Sequence, residues 1–424
     1  MPENGGFVST QPKLSRSQLA AVVAGNGLEF YDFLIFGFFA VQIGASFFPS
    51  KTATGSLLLT LATFGAGFLT RPLGGVVIGR LGDRIGRKPS MLLSFGLMGL
   101  SIVGLACTPS YASIGMVAPI LALLFRLLQG FAIGGEVGPT TAFLMEAAPI
   151  EKRGLYIALQ TGTQQAATAC AGIVGAVLAS LLTPQEFTAW GWRIAMLLGA
   201  SVVPLALAIR RQLPETLERR EGTKLPRPTL AQIGAALLTL MTLASATITT
   251  YVLITIATFA THTLNLSASV AFVATVIGGF LGAFSNLVGG TLSDRLGRKP
   301  VMIGAYGLLC ILGVPCFMVM SQLRTPGALY GAVAVMASLL GLGLPSIVAQ
   351  VSESMPVHMR SGAIGIVYAV AITVFGGSAS FVVTWLTEVT HSPLAPAVYM
   401  CGALALGLVG MFAMRETAPI KTGR

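Results

Sequence analysis

Twelve long apolar stretches follow one another along this chain of 424 residues. A helix needs about 20 mostly apolar residues to cross the hydrocarbon core of a bilayer, so each stretch predicts a membrane-spanning helix. Since backbone polar groups inside a bilayer must be paired within the protein, the sequence predicts an all-α integral membrane protein with 12 transmembrane helices. The stretches are 18–45, 54–79, 90–108, 114–138, 155–182, 190–209, 230–261, 267–291, 301–321, 327–349, 362–387 and 394–414.

The composition agrees with this prediction. Hydrophobic residues make up 54% of the chain and charged residues only 10%, whereas soluble domains carry about 25% charged residues. Soluble enzymes, nucleic-acid-binding proteins and disordered scaffolds are therefore not expected. The net charge of +11 is better explained by basic loops between membrane spans than by a nucleic-acid surface.

The basic residues are divided unevenly between the two sides of the membrane. If the N-terminus is cytoplasmic, the inner segments carry 21 of the 26 lysines and arginines, and the outer segments carry only Lys51 and Arg324. Cytoplasmic segments are the ones enriched in basic residues. The pattern therefore predicts that both termini are cytoplasmic.

Two similar loops indicate an internal duplication. GRLGDRIGRKP at 79–89 recurs as GTLSDRLGRKP at 290–300, an offset of 211 residues. A second pair, Glu146 followed by Arg153, recurs as Glu353 followed by Arg360. Duplicated halves are typical of secondary transporters, which bind their substrate near the bilayer midplane between the halves.

These observations predict two six-helix halves. The predicted segments are a cytoplasmic tail at 1–17, a six-helix bundle at 18–212, a cytoplasmic linker at 213–229, a second six-helix bundle at 230–414 and a cytoplasmic tail at 415–424.

Six charged residues lie within the spans of the first half, and such charges are usually functional. They are Glu29, Asp32, Glu136, Arg71, Arg126 and Arg193. The three acids are candidate proton-coupling residues, because burial and nearby arginines shift the protonation of a carboxyl group in opposite directions. One hypothesis is that protonation of an acid releases an arginine that then attracts an anion. The alternative is a permanent ion pair that only holds helices together.

Arg126 is the strongest candidate ligand for a substrate. It lies about 12 residues into its span, roughly 18 Å from the end, and its planar guanidinium suits a carboxylate. Other polar positions on neighbouring spans complete a candidate substrate site, although such residues also serve helix packing. The full candidate set is Asn26, Arg71, Arg126, Gln129, Gln160, Gln164, Thr250, Tyr251 and Tyr368. The five cysteines and three histidines lack metal-ligand spacing, so neither a metal nor a cofactor is expected.

Several motifs resemble one family of membrane carriers. The repeated loop G-x-x-x-D-R-x-G-R-K-P resembles the signature of the major facilitator superfamily, and RLLQG at 126–130 resembles its second motif. GNGLEFYDF at 25–33, GFLTRPLGG at 67–75, GGE at 134–136, WGWRI at 190–194 and FGG at 375–377 resemble the metabolite–proton symporters. That family includes carriers of citrate, tricarballylate, α-ketoglutarate, shikimate and proline or betaine. NLSA at 265–268 and the Gln164-Gln165 pair are most similar to the citrate-type members.

The resemblance implies a cytoplasmic gate. It implies that Asp83 and Asp294 face helix N-termini of the opposite half, where the helix dipole favours an anion. Glu146 and Glu353 are candidate partners for Arg84 and Arg295. These contacts would hold the inner side shut. The candidate gate residues are Asp83, Arg84, Arg87, Glu146, Arg153, Asp294, Arg295, Arg298, Glu353 and Arg360.

The expected function is proton-coupled symport of a small organic anion, a di- or tricarboxylate such as citrate, by alternating access. Carriers of α-ketoglutarate, shikimate, proline or betaine, as symporters or uniporters, remain alternatives, and a membrane sensor that does not transport is a further one. An enzyme is not expected, because no nucleophile–base set or phosphate loop is present. The expected partners are the anion, protons and the lipid bilayer, with no nucleic acid. A monomer in the bacterial inner membrane is the expected form.

Overall fold

The chain folds into long helices joined by short turns. The structure, a computed structural model, describes residues 16–85, 87–134, 141, 144–145, 148–201, 230–354 and 370–423, and none of these lies in a strand. The main helices are α1 (Arg16–Phe38), α2 (Ala40–Phe47), α3 (Ala53–Leu69), α4 (Arg71–Ile85), α5 (Arg87–Cys107), α6 (Val117–Gly134), α7 (Arg153–Leu181), α8 (Trp192–Ala200), α9 (Leu230–Ile254), α10 (Ile256–His262), α11 (Ala268–Leu296), α12 (Arg298–Leu323), α13 (Pro326–Glu353), α14 (Gly377–Thr390) and α15 (Ala395–Ala413). Shorter helical segments are Tyr111–Ile114, Ile150–Lys152, Pro184–Glu186, Phe187–Gly191, Ala371–Gly376 and Pro419–Thr422.

Within the described residues, each predicted span coincides with helix. Among the described residues, nine helices are long and apolar enough to cross a membrane. The helices Val23–Phe38 and Ala40–Phe47 pass the same test together and make a tenth span if they are counted as one. They bend by 62° relative to each other, where a single helix was predicted. The other two predicted spans correspond to the shorter apolar helix Leu92–Cys107 and to α8, beyond which residues 202–229 are not described. The predicted linker at 213–229 therefore lies outside the described residues.

Buried apolar side chains form two large clusters. One is drawn mainly from residues 31–196, and the other entirely from residues 243–411. The regions meet where α7 packs along α11 and where α3 packs along α14. The candidate site lies near the second of these contacts.

Glycines bring the two arginine-bearing helices together. A Cβ at Gly130 of α6 would overlap the carbonyl oxygen of Gly67 on α3, and a Cβ at Gly134 would overlap that of Arg71 on α4. Only residues without a side chain allow such close backbone approach. The spacing of these glycines therefore places Arg126 and Arg71 on adjoining backbones.

We expect Gly130→Ala to destabilise the protein by about 2 kcal/mol, because overpacking a tight contact forces the helices apart. Gly96→Ala on α5 is the matched control, since a Cβ there meets no heavy atom within 4 Å. Thermal unfolding of both variants in detergent measures the difference. Equal stability of the two variants would show that the α3–α6 contact is not tight.

Candidate functional site

Arg126 is buried in the middle of the protein. It lies on α6 and is 1% exposed. Its Nη1 donates a hydrogen bond to Oε1 of Gln129, one helical turn further on. Its Nε and Nη2 have no hydrogen-bond partner among the described residues. A buried charged group with unused donors is costly, so this guanidinium is suited to receive an anion.

Aromatic rings surround the guanidinium groups of Arg126 and Arg71. Cζ of Arg126 lies 4.7, 4.5 and 4.8 Å from the ring centroids of Phe33, Phe36 and Phe64. Cζ of Arg71 lies 4.4 Å from the centroid of Phe33 and 4.2 Å from that of Phe68. The faces of aromatic rings attract cations. Together with Tyr251, these four phenylalanines form what we call the aromatic enclosure.

Residues of the second half cover the aromatic enclosure. Tyr251 on α9 lies edge-on to Phe68, with ring centroids 5.4 Å apart. Oγ1 of Thr373 donates a hydrogen bond of 3.1 Å to the carbonyl oxygen of Phe68. A cavity of about 30 Å³ is lined by Phe38 of α1 and by Thr250 and Ile254 of α9, among others. Arg126 and Arg71 themselves are only 1% and 8% exposed, so the site is closed to solvent in this conformation.

Asp32 does not pair with either arginine. It is 6% exposed, and its Oδ1 has no hydrogen-bond partner in the described part of the chain. A Cβ at Gly199 of α8 would overlap Oδ1, so the carboxyl group faces the α8 backbone. The hypothesis that an arginine is released from an acid therefore does not apply to Asp32 in this conformation. The reason is helical geometry, because Asp32 and Phe33 are successive residues and point about 100° apart.

The other predicted substrate residues fall into separate places. Nε2 of Gln164 donates a hydrogen bond of 3.1 Å to Oδ1 of Asn26, and Gln160 exchanges hydrogen bonds with Thr141. Of the predicted substrate residues that the structure describes, Arg71, Arg126, Gln129 and Tyr251 are brought together at the aromatic enclosure. Glu136 and Tyr368 lie outside the described residues, as does the side chain of Glu29.

Asp294 joins the two halves at the end predicted to face the cytoplasm. Its carboxylate oxygens accept hydrogen bonds of 2.8 and 3.0 Å from the backbone N–H groups of Gly154 and Leu155. These N–H groups belong to the first turn of α7, where a carboxylate is stabilised by the helix dipole. This is the position that the family resemblance implies for Asp294. We call these three residues the inner contact.

The partner of Glu353 differs from the predicted one. Its carboxylate accepts hydrogen bonds of 2.9 and 3.2 Å from Arg298, not from Arg295. Arg298 also donates to Asp294 at 2.7 Å. Arg295 is exposed, since it lies one residue after Asp294 and faces the other side of α11. Arg298 thus links Glu353 to the inner contact.

Five predicted gate residues have no described side chain. Asp83, Arg84 and Arg87 lie in helices whose side chains there are outside the described set, and Glu146 and Arg360 lie outside the described residues. Arg153 begins α7 and is half-buried. The symmetry between the two repeated loops therefore stays a prediction.

Glu416 is a component of this region that the sequence analysis missed. Its carboxylate accepts hydrogen bonds of 2.9–3.0 Å from the backbone N–H groups of Arg298, Lys299, Thr417 and Ala418. It thereby satisfies two free N–H groups at the start of α12. The sequence does hold a signal, because Glu-Thr recurs at 215–216 and 416–417, just after the sixth and twelfth predicted spans.

Glu416 makes the stability of this end dependent on pH. Partial burial raises the pKa of its carboxyl group, but hydrogen bonds from four backbone N–H groups outweigh this and lower the pKa below its usual value of 4.5. A carboxyl group whose pKa is lower in the folded state stabilises that state above about pH 4.5, and the stabilisation is lost as the pH falls through the lowered pKa.

We therefore expect Glu416→Gln to reduce stability by about 1 kcal/mol at pH 7, the usual worth of a helix cap. The difference from the unsubstituted protein should shrink as the pH falls below 4.5. Thermal unfolding at pH 7 and pH 4 measures it, with Glu151→Gln at an exposed position as the control. A difference that stays constant with pH would contradict the role of the ionised carboxylate.

The opposite end carries its own contact and a large recess. Oγ1 of Thr54 lies 3.4 Å from Nε2 of His262 and 3.4 Å from Oε2 of Glu388, across the two halves. A recess of about 890 Å³ near Arg193 is lined by residues of the first half, including Ser46 and Tyr111. Arg193 itself stacks on Trp192 and donates to the carbonyl oxygen of Thr108. This recess is thus separate from the aromatic enclosure.

Similarity to known proteins extends over most of the chain. A model of the Major Facilitator Superfamily matches residues 22–379. The citrate-proton symporter of Klebsiella pneumoniae is 33% identical over 412 residues, covering 95% of this chain and 93% of the relative. The proline/betaine transporter of Escherichia coli (strain K12) is 31% identical over 430 residues, covering 96% and 85%. The E. coli xylose transporter XylE in a partially occluded inward open conformation is similar in structure, with a TM-score of 0.76, 17% identity and coverage of 94% and 97%.

Proposed function

The chain belongs to the Major Facilitator Superfamily, and on this basis we propose that it is a proton-coupled symporter of a small organic anion, a di- or tricarboxylate such as citrate. It is a multi-pass inner-membrane protein with the twelve-helix fold of its superfamily. The proposed assembly is a monomer surrounded by lipid. Transport, and not catalysis, is the activity that the site supports.

The observation that carries the proposal is the burial of Arg126. Its Nε and Nη2 have no partner among the described residues, and a guanidinium binds a carboxylate through two parallel hydrogen bonds. Such a pair is strongest where water is excluded. The similarity to a citrate-proton symporter over 95% of the chain favours the same ligand chemistry.

Proton coupling is assigned to Asp32 and Glu29 of α1 and to Glu136 of the fourth predicted span. Asp32 is buried without an ionic partner among the described residues, and an unpaired buried carboxylate is costly, so a proton on Asp32 favours the closed conformation. Glu29 lies one helical turn before Phe33, whose ring contacts both arginines. We assign to Glu29 and Glu136 the other part of the coupling. In this step an arginine pairs with the acid until the acid is protonated, and then binds the substrate.

Alternating access then follows from movement of the proposed halves, 18–212 and 230–414, about the aromatic enclosure. The inner contact, together with Arg298 and Glu353, holds one side shut. By the repeat, Asp83, Arg84 and Arg87 of the first loop and Glu146 after the fourth span complete the gate. The excess of basic residues in alternate loops supports cytoplasmic termini.

Uptake into proteoliposomes tests the proposal. Purified protein would be given labelled citrate, α-ketoglutarate, shikimate or glycine betaine, with and without an inwardly directed proton gradient. We expect gradient-driven accumulation of a carboxylate. Equal uptake without the gradient would indicate a uniporter, and accumulation of none of these compounds would contradict the proposed substrate class.

A further inference from the structure

The guanidinium groups of Arg71 and Arg126 already cover the rings of the four phenylalanines of the aromatic enclosure. Each ring has a guanidinium carbon 4.2–4.8 Å from its centroid. The rings also contact one another, with Phe33 lying 5.0 Å from Phe68 and 5.1 Å from Phe64. Phe33 is therefore the wall that both arginines share.

An empty aromatic enclosure is a recognised binding site for quaternary ammonium groups. In this protein an ammonium group would have to displace a guanidinium from the ring faces. It would also sit beside positive charge. The two guanidinium carbons lie 4.4 and 4.7 Å from the centroid of Phe33, so they are no more than about 9 Å apart. An ammonium group in the place of one guanidinium would lie within about this distance of the other. Like charges so close repel strongly where water is excluded.

We infer that the aromatic enclosure selects organic acids without a cationic centre and rejects betaines and amino acids such as proline. The phenylalanines hold the arginines in position for a carboxylate. Because the guanidinium groups cover the ring faces, an ammonium group cannot bind to these faces. This inference rests on the proposed function, because it names the class of anion that the same site accepts. Phe33 and Phe36 are the specificity residues, acting as positioning residues for Arg126.

Competition measures this selectivity directly. In proteoliposomes that accumulate a labelled carboxylate, a 100-fold excess of glycine betaine, proline or tetramethylammonium is expected to leave uptake unchanged, whereas unlabelled citrate or tricarballylate abolishes it. Carboxylate transport that glycine betaine or tetramethylammonium inhibits as strongly as citrate would overturn the inference and leave the proposed function standing. Proton-driven uptake of betaine without uptake of any carboxylate would overturn both.

A pair of variants tests the positioning role. Phe33→Leu is expected to raise the KM for the carboxylate about tenfold, because two cation–π contacts are lost, with the maximal rate retained. Phe47→Leu is the matched control, since Phe47 is equally buried but contacts Trp192 and Arg193 at the outer end. An unchanged KM in a Phe33→Leu protein that folds and transports would overturn the assignment. Where Phe33→Leu fails to fold, Phe36→Leu gives the same test through Arg126 alone.

Discussion

Arg126→Lys is expected to lower kcat/KM for carboxylate uptake by about 100-fold, equivalent to roughly 3 kcal/mol. Lysine keeps the positive charge but loses the planar fork that binds a carboxylate through two hydrogen bonds. It also loses the flat face that stacks against Phe33, Phe36 and Phe64. Initial rates of uptake over a range of substrate concentrations would measure the effect.

Arg193→Lys is the matched control for this variant. Arg193 stacks on Trp192 at 4.1 Å and donates to the carbonyl oxygen of Thr108 at 3.1 Å, away from the aromatic enclosure. We expect its uptake to remain within about threefold of the unsubstituted protein, as for a partly exposed packing position. If Arg126→Lys transported as well as Arg193→Lys, the guanidinium of Arg126 would not be the substrate ligand.

Asp32→Asn is expected to abolish accumulation driven by a proton gradient while leaving exchange of labelled for unlabelled substrate. Asparagine resembles the protonated carboxyl group in size and is neutral, so it fits the space against Gly199 without releasing a proton. Exchange needs only the substrate-loaded protein to reorient, whereas accumulation needs the proton to bind and leave. Uptake under a gradient and counterflow in the same proteoliposomes separate the two activities.

Glu151→Gln provides the comparison for Asp32→Asn, because Glu151 is an exposed carboxylate in the short helix before α7. Both activities should survive in that variant. An Asp32→Asn protein that still accumulated substrate against its gradient at the normal rate would remove Asp32 from the coupling mechanism.

The spans could be predicted because apolar length, a local property of the sequence, determines whether a helix crosses a bilayer. The close contacts at Gly130 and Gly134 became visible only in the structure. The 62° bend between α1 and α2 was not predicted, since neither proline nor a break in hydrophobicity marks it.

The site was predicted only in part, because its geometry depends on contacts between distant helices. Arg126 and Arg71 are conspicuous as charges in apolar spans, but nothing in their local sequence shows that Phe33 from α1 and Tyr251 from α9 enclose them. Likewise, Glu353 was assigned to Arg295, whereas the fold brings it to Arg298. Successive charged residues on one helix point in different directions, and the choice between them needs the tertiary structure.

The most direct test of symport is to drive protons with the substrate. Proteoliposomes with a pH-sensitive dye inside would receive an inward citrate gradient, with no initial pH difference, and empty liposomes would correct for leakage of the acid. The proposed mechanism predicts that the lumen acidifies as citrate enters, and that Asp32→Asn eliminates this acidification. Citrate entry through the unsubstituted protein without any change in luminal pH would contradict proton-coupled symport.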